Sequence, residues 1–368
     1  MRAVPYVDLV KQNASLRSQI AEAVDRVIRH GHFTNGPEVE QFESALATEL
    51  GIENVIGVGS GTAALTLVMR AFDIGPGDEV ITVAHSYVAT ASAILLVGAT
   101  PVFVDVDPDT ALMDPKLLLN KLTPRTKAIV PVHLGGVACD LEPIERFCAA
   151  RDLHLIEDCA QAIGATYQGR SVGSVGTGCF SLHPLKSLAA CGDGGFITTN
   201  DSELAALLRK LRTLGHRDRD HVDYISENAR LDTLQAAILN VKLPHLNDWI
   251  GARRNHGAVY QRALARYFEL TSITESCEPA FSAFVLRHDA RDELLSHLAD
   301  HGFDAKVHYP IPIHKQRAFA SLAPVSLPHT ESLARRILSL PVSPELDPMD
   351  RDALVDVLIA WSKARESS

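Results

Sequence analysis

The chain has no C-x-x-C pair among its six cysteines, at positions 139, 148, 159, 179, 191 and 277. That scatter argues against a zinc site and against a disulfide frame. It reads as buried free thiols in a reducing compartment, the cytoplasm. No apolar run is long enough to span a bilayer. The opening MRAVPYVDLVKQ lacks the long apolar core of a signal peptide. Positive charge is in deficit. Lys and Arg number 35 against 45 Asp and Glu, for a net charge of -10. The basic residues are dispersed apart from local pairs such as Arg253-Arg254. Binding to nucleic acid wants a basic patch, so that class is set aside. There is no internal repeat and no low-complexity segment. No G-x-G-x-x-G follows the first strand-like run at 54–58, which disfavours a dinucleotide-binding oxidoreductase.

What is present is a globular composition, with 46% hydrophobic and 22% charged residues. At 368 residues the chain has room for two domains. Leu16, Ile20, Val24 and Ile28 recur at helical spacing, predicting a helix over 9–29 that ends at Gly31. Asn35-Gly36-Pro37 signals a turn, and Val39, Phe42, Leu46 and Leu50 line the next helix. Strands at 54–58, 80–83, 101–106, 128–132 and 153–156 then alternate with helices at 63–72, 115–122 and 141–151. That alternation predicts an α/β fold with a mostly parallel sheet and crossover helices. Ligands of such sheets sit beyond the carboxyl ends of the strands. After Pro244 the pattern changes to a long helix over 249–267 and short alternating elements. The expected division is a large domain, 1–245, and a smaller α+β domain, 246–368.

Four runs carry chemistry. Cys179 to Asn200 reads CFSLHPLKSLAACGDGGFITTN. It is a strand stopped at His183-Pro184, then Lys186 on a turn, then a Gly-rich bend into a second strand. A lysine held between buried strands has its pKa lowered and its amine freed for Schiff-base chemistry, although a lone lysine in a turn is more often an ordinary surface group. Gly59-Ser60-Gly61-Thr62 opens a helix and suits either a phosphate or a plain N-cap. Tyr87 follows a strand in HSYVAT, where an aromatic ring is usually core. Asp158 follows the strand HLIE, as a cap or as a functional carboxylate, while two-faced alternation turns Glu157 to the opposite side in a structural role. Arg230 can be paired with Glu227 or Asp232 on the surface. His308 and His314, six apart with no acidic ligand beside them, do not make a convincing metal pair, so no metal is expected.

Taken together, S-x-H-P-x-K-x-L followed by G-D-G-G, G-P-E-V-x-x-F-E at 36–43, G-S-G-T, the aromatic-x-A-T run, D-C-A-Q-A, N-A-R at 228–230 and H-Y-P-I-P resemble the DegT/DnrJ/EryC1/StrS family over nearly the whole chain. These are nucleotide-sugar aminotransferases of fold type I that use pyridoxal 5'-phosphate. The resemblance implies that Lys186 carries the cofactor and, as a free amine, moves the proton between donor and cofactor. It implies that Asp158 keeps the pyridine nitrogen protonated, making the ring an electron sink. Tyr87 would stack on the ring and Gln161 would lie by its phenolic oxygen. Ser60, Gly61, Thr62 and Ser181 would hold the phosphate. Asn228 would reach the phosphate in the neighbouring subunit of a homodimer, and Arg230, His308 and Tyr309 would face the substrate. Two positions depart from the pattern: Leu185 replaces a small or hydroxyl residue, and Glu227 replaces a glycine.

The implied reaction moves an amino group, with L-glutamate as donor, through pyridoxamine 5'-phosphate to a keto-sugar nucleotide. The PYVDL start and the VHYPIPIHKQ loop look more like enzymes acting at C3 of a dTDP- or UDP-linked hexose than at C4. A 4-keto substrate is the alternative. A PLP-binding regulatory protein without catalysis is a further one, against which Lys186, Asp158, Gln161 and Asn228 stand together. Sugar dehydratases of this fold carry histidine in place of the lysine.

Overall fold

The computed structural model describes residues 3–366. The helix expected over 9–29 forms as two, α1 (Leu9–Ala14) and α2 (Arg17–His30). Asn13 Nδ2 donates to the Leu9 carbonyl (2.7 Å), and short polar side chains of this kind compete with backbone bonding. Leu16 is buried at the junction, but the buried stripe then runs through Ala23 and Val27, leaving Ile28 exposed. α2 closes on Gly31 at φ 75°, a left-handed cap that costs glycine nothing. α3 (Pro37–Leu50) starts on its proline and buries Val39, Phe42, Leu46 and Leu50.

β1 (Asn54–Val58) leads into α4 (Gly61–Ala71), and β2 (Glu79–Val83) into α5 (Ala89–Leu96). β3 (Thr100–Val104) is followed by β4 (Thr126–Val130), α6 (Leu141–Ala149) and β5 (His154–Asp158). The α-helix expected over 115–122 is a 3-10 helix, Pro115–Lys121. It buries only Leu118, so no apolar stripe holds a full helix in place. A ribbon of β6 (Thr166–Tyr167) and β7 (Arg170–Ser171) precedes β8 (Thr177–Ser181), β9 (Gly195–Thr199) and α7 (Ser202–Leu211).

The central sheet has the order β1-β9-β8-β5-β4-β2-β3. β9 runs antiparallel to both neighbours, and the remaining pairs are parallel. β1 and β8 therefore point the same way as β2, β4 and β5, and their carboxyl ends share one edge. Alternate strand residues face opposite layers. Val55, Ile81 and Val83 pack with α3, α6 and α8 (Thr233–Lys242). Ile56, Val58 and Val80 pack with α4, α5 and α7.

α9 (Leu246–Leu264) connects to a second layer. There β10 (Glu269–Leu270), β12 (Phe284–Arg287) and β13 (Ile337–Leu340) form a sheet, while β11 (Cys277–Glu278) joins β6. α10 (Arg291–Asp300) and α12 (Pro348–Glu366) complete it, while α11 (Pro328–Arg336) buries Leu333 in the core of the central sheet. Tyr260, Phe284, Leu298, Leu338 and Leu358 form its core, and Val4 packs among them. The Val4 N–H donates to the Gly302 carbonyl (2.8 Å), so the first described residues pack with elements far along the chain. Among the described residues no helix is long and apolar enough to cross a membrane.

Candidate active site

Asp158 is the last residue of β5 and is buried. Its Oδ2 accepts from Thr90 Oγ1 (2.8 Å) and its Oδ1 from the Ala160 N–H (3.1 Å). Burial pushes its pKa up, opposed by the Thr90 and Ala160 hydrogen bonds and by the charge of Lys186. The charge contact puts Lys186 within electrostatic reach of Asp158. Glu157 points to the other face, as expected. It accepts from His133 Nε2 (3.0 Å) and from the N–H groups of Gly173 (2.8 Å), Val175 (3.1 Å) and Gly176 (2.7 Å).

Lys186 sits in a turn after β8, its N–H donating to the His183 carbonyl (2.8 Å). Burial lowers its pKa, against the opposing charge of Asp158. The departure residue Leu185 is exposed beside it. α8 grips the loop that follows. Gln235 Oε1 accepts from the Cys191 N–H (2.8 Å), and the buried Lys242 Nζ donates to the Ala189 carbonyl (2.8 Å). Cys191 thereby lies on an exposed bend, and Cys277 is only half-buried. The expectation of buried thiols holds for Cys139, Cys148, Cys159 and Cys179.

At the end of β1, Ser60 is the N-cap of α4. Its Oγ accepts from the Ala63 N–H (3.0 Å), so the capping reading of this hydroxyl holds. The N–H groups of Gly61 and Thr62 precede any intrahelical acceptor and remain for a ligand. A Cβ on Gly61 would lie 2.9 Å from Ser181 Cβ. Only glycine lets the α4 N-terminus approach the end of β8 this closely, and Ser181 is thereby brought to Gly61.

Gln161 is fixed at both ends of its amide. Oε1 accepts from the Gly135 N–H (2.8 Å), and Nε2 donates to the Tyr309 hydroxyl (3.1 Å). Tyr87 and Tyr309 approach with ring centroids 5.8 Å apart. Tyr87 is 57% exposed, so its ring is not core. His308 Nδ1 meets Ser339 Oγ (3.0 Å). Burial, then the charges of Lys186 and Lys306, pull His308 down to about 4, so it is neutral at ordinary pH. Sequence reading missed Ser339 and Gly135, because their contacts join segments far apart in the chain.

Asn228 and Arg230 lie on a segment bridged to Thr213 and to Val58. Among the described residues Arg230 forms no ion pair, which removes the surface-pair reading. Its Nε is buried without a partner. Asn228 is exposed, and its side chain meets no partner among the described residues. The charged loop at 215–225 is held by the bridge His216–Val222 and by ion pairs of Asp223 with Lys210 and Arg217.

His133, Glu157 and Cys159 place metal-type donor atoms within 4.8 Å of one another. The Cys139 N–H donates to His133 Nδ1 (3.0 Å), and Glu157 already accepts four hydrogen bonds. These lone pairs are committed to the protein.

A buried carboxylate, a lysine with lowered pKa, free N–H groups at a helix N-terminus and an exposed aromatic ring therefore meet along one edge of the sheet. The donor set fits pyridoxal 5'-phosphate: N–H groups for an anion, a carboxylate for a ring nitrogen, an amine for an aldehyde.

Comparison with known proteins agrees. A dTDP-3-amino-3,4,6-trideoxy-alpha-D-glucose transaminase of Streptomyces venezuelae is 40% identical over 98% of this chain and 96% of its own. A UDP-N-acetyl-3-dehydro-alpha-D-glucosamine 3-aminotransferase of Acidithiobacillus ferrooxidans is 42% identical over 94% of both. A pleiotropic regulatory protein of Geobacillus stearothermophilus is 41% identical over 96% of this chain and 97% of its own. The structure of S. venezuelae DesV in complex with a ketimine intermediate superposes with a TM-score of 0.96 at 40% identity, covering 98% of this chain and 99% of that one. The model of the DegT/DnrJ/EryC1/StrS aminotransferase family matches residues 14–359. The chain belongs to the DegT/DnrJ/EryC1/StrS aminotransferase family.

Proposed function

We propose that this protein transfers an amino group from L-glutamate to the C3 keto group of a dTDP- or UDP-linked hexose, with pyridoxal 5'-phosphate as cofactor. The observation that carries the reading is Lys186, its amine pKa lowered by burial, within electrostatic reach of the Asp158 carboxylate. Two of the relatives are named for amino transfer at position 3, which supports that position here. When bound, the cofactor supplies an aldehyde that condenses with amines and a ring that takes up electrons released at carbon.

Lys186 Nζ holds the cofactor and, once freed, takes the proton from the donor's Cα and returns one. Burial lowers its pKa and so favours the neutral amine that this role uses. Asp158 holds a proton at the ring nitrogen. Gly61, Thr62 and Ser181 hold the phosphate and Tyr87 covers the ring. Gln161, fixed by Gly135 and Tyr309, bonds the phenolic oxygen. Neutral His308, Tyr309 and Arg230 orient the sugar nucleotide. Asn228 serves the cofactor phosphate of a second copy, so the working unit is a homodimer. Free cysteines fit a cytoplasmic setting.

The relative named as a pleiotropic regulatory protein raises a reading without catalysis. Retention of Lys186 within electrostatic reach of Asp158, with Asp158 and Gln161 both hydrogen-bonded, speaks against it. Borohydride treatment of the yellow holoenzyme is expected to fix the cofactor on Lys186, and Lys186→Ala to cut turnover by several orders of magnitude. A label on another lysine, or turnover that survives the substitution, overturns the assignment. Assay of glutamate with 3-keto and 4-keto nucleotide sugars tests the substrate: preference for the 4-keto panel replaces C3 by C4.

A further inference from the structure

The run Ser86-Tyr87-Val88-Ala89-Thr90 crosses from the end of β2 into α5 and splits its side chains. Tyr87 is exposed at the site, while Ser86 and Thr90 are turned inward and buried, at 4% and 1% exposure. Thr90 Oγ1 lies 2.8 Å from Asp158 Oδ2, 2.8 Å from Ser86 Oγ and 3.2 Å from the Tyr87 carbonyl. A hydroxyl has one proton to give. The carboxylate can only accept and lies nearer than the Tyr87 carbonyl, while the Ser86 hydroxyl can itself donate, so Thr90 donates to Asp158. Ser86 Oγ must then donate to Thr90. The direction of this two-hydroxyl chain is fixed by its charged end. It fills one lone-pair region of Oδ2, while the Ala160 N–H fills one of Oδ1. The carboxylate is thus pinned in rotation, with its remaining lone pairs in defined directions.

We propose that Thr90, oriented by Ser86, is a positioning residue that keeps Asp158 ionised and turned toward the ring nitrogen of the cofactor. The proposal rests on the reading of Asp158 as that nitrogen's partner. The same short run then supplies two functions on opposite sides: a ring over the cofactor from Tyr87, and a hydroxyl relay beneath its carboxylate. The chemistry is that of a donor to a buried anion. A hydrogen bond to the charged form stabilises that form, and at a site excluded from water no solvent replaces it.

The groups that bear on the Asp158 charge are Lys186 from the β8 turn, His133 beyond β4, Tyr309 from the second layer, and Cys159 and Cys179 beside it. None of them is altered by substitution at Thr90. The test is an infrared pH titration of the protonated-carboxyl band in the full-length protein freed of cofactor. The band is assigned to Asp158 by its loss in Asp158→Asn. In Thr90→Val, which keeps shape and removes the donor, the midpoint is expected to move upward by about 1 pH unit or more. Thr90→Ser should restore it. Ser86→Ala, which removes only the donor behind Thr90, should move it the same way by less, and it keeps the test decisive if the valine variant does not fold.

Unchanged midpoints in Thr90→Val, or in Ser86→Ala where only that variant folds, overturn the relay. The underlying reading fails differently. If Asp158→Asn retains near-normal transamination, Asp158 is not the nitrogen's partner, whatever the midpoints do.

Discussion

Glu157 and Asp158 are neighbouring carboxylates on one strand with opposite surroundings. Alternation sends Glu157 into a nest of four donors and Asp158 to the open edge of the sheet. Burial pushes the Glu157 pKa up, but the His133 hydrogen bond and the Gly176 and Gly173 N–H groups outweigh it, so the group titrates below the ordinary carboxylate range. Its stabilisation is complete above the unfolded carboxylate value, about 4.3, and is lost as pH falls through the lower folded value. Glu157→Gln turns an amide N–H toward backbone N–H groups. It is expected to cost about 3 kcal/mol near neutral pH, read as a lower denaturant midpoint at unchanged slope. The gap from wild type should narrow as pH falls from about 4.3, where the unfolded carboxylate begins to protonate, through the lower folded value. A gap independent of pH would mean that shape, not charge, sets the cost.

The decisive element is the β8–turn–β9 unit, in which Lys186 stands on a turn and the bend beyond it is clamped by α8. Proline and glycine break the strand pattern, and tertiary bonds supply the rigidity that the turn itself lacks. Gln235 and Lys242 are seven residues apart and therefore lie on one helix face. Both bond the loop at 189–191. Gln235→Ala removes the Cys191 N–H acceptor. It is expected to raise amide exchange across 189–192 about 10-fold and to weaken cofactor retention, leaving exchange in β8 and β9 unchanged. Protection that stays as in wild type would show that the Lys242–Ala189 bond and the Ala190 N–H bond to the Leu182 carbonyl hold the loop without Gln235. The sequence marked this turn as the place of the lysine but gave no sign of the clamp, because Gln235 reads as one more helix residue.

At the scale of the molecule, one chain leaves the Asn228 side chain exposed and Arg230 Nε buried, each without a hydrogen-bond partner among the described residues, and leaves Phe33, Tyr87, Tyr224 and Ile225 exposed. A two-fold dimer gives each copy the same surface against the other and two equivalent sites. If Asn228 serves the partner's site, Lys186→Ala mixed with Asn228→Ala yields a heterodimer with one doubly damaged site and one intact site. Activity is expected to return to about half per heterodimer when the sites act independently. Each variant alone must stay low. Failure of complementation despite proven exchange places Asn228 in its own chain's site, and an active monomer by light scattering removes the shared site.

Local pattern was enough to locate the strands of the central sheet, the Gly-rich turns and the runs around Lys186, Asp158 and Ser60, because strand periodicity, breakers and helix starts depend on near neighbours; the two-residue strands of the smaller sheets escaped it. It also separated Glu157 from Asp158, since alternation along a strand is a local rule. Family resemblance added the roles of those residues. What pattern could not supply was long-range. The 3-10 form at Pro115–Lys121 and the turned stripe of α2 were decided by what lay opposite each segment, whereas the break between α1 and α2 follows a local bond of Asn13 to the Leu9 carbonyl that helical spacing alone does not show. The Thr90–Asp158 bond, the Gln161–Tyr309 bond and the Ser339–His308 contact join residues 68, 148 and 31 apart. Such contacts appear only when strands far apart in sequence are laid side by side, and that is a property of the packed sheet rather than of any stretch of it.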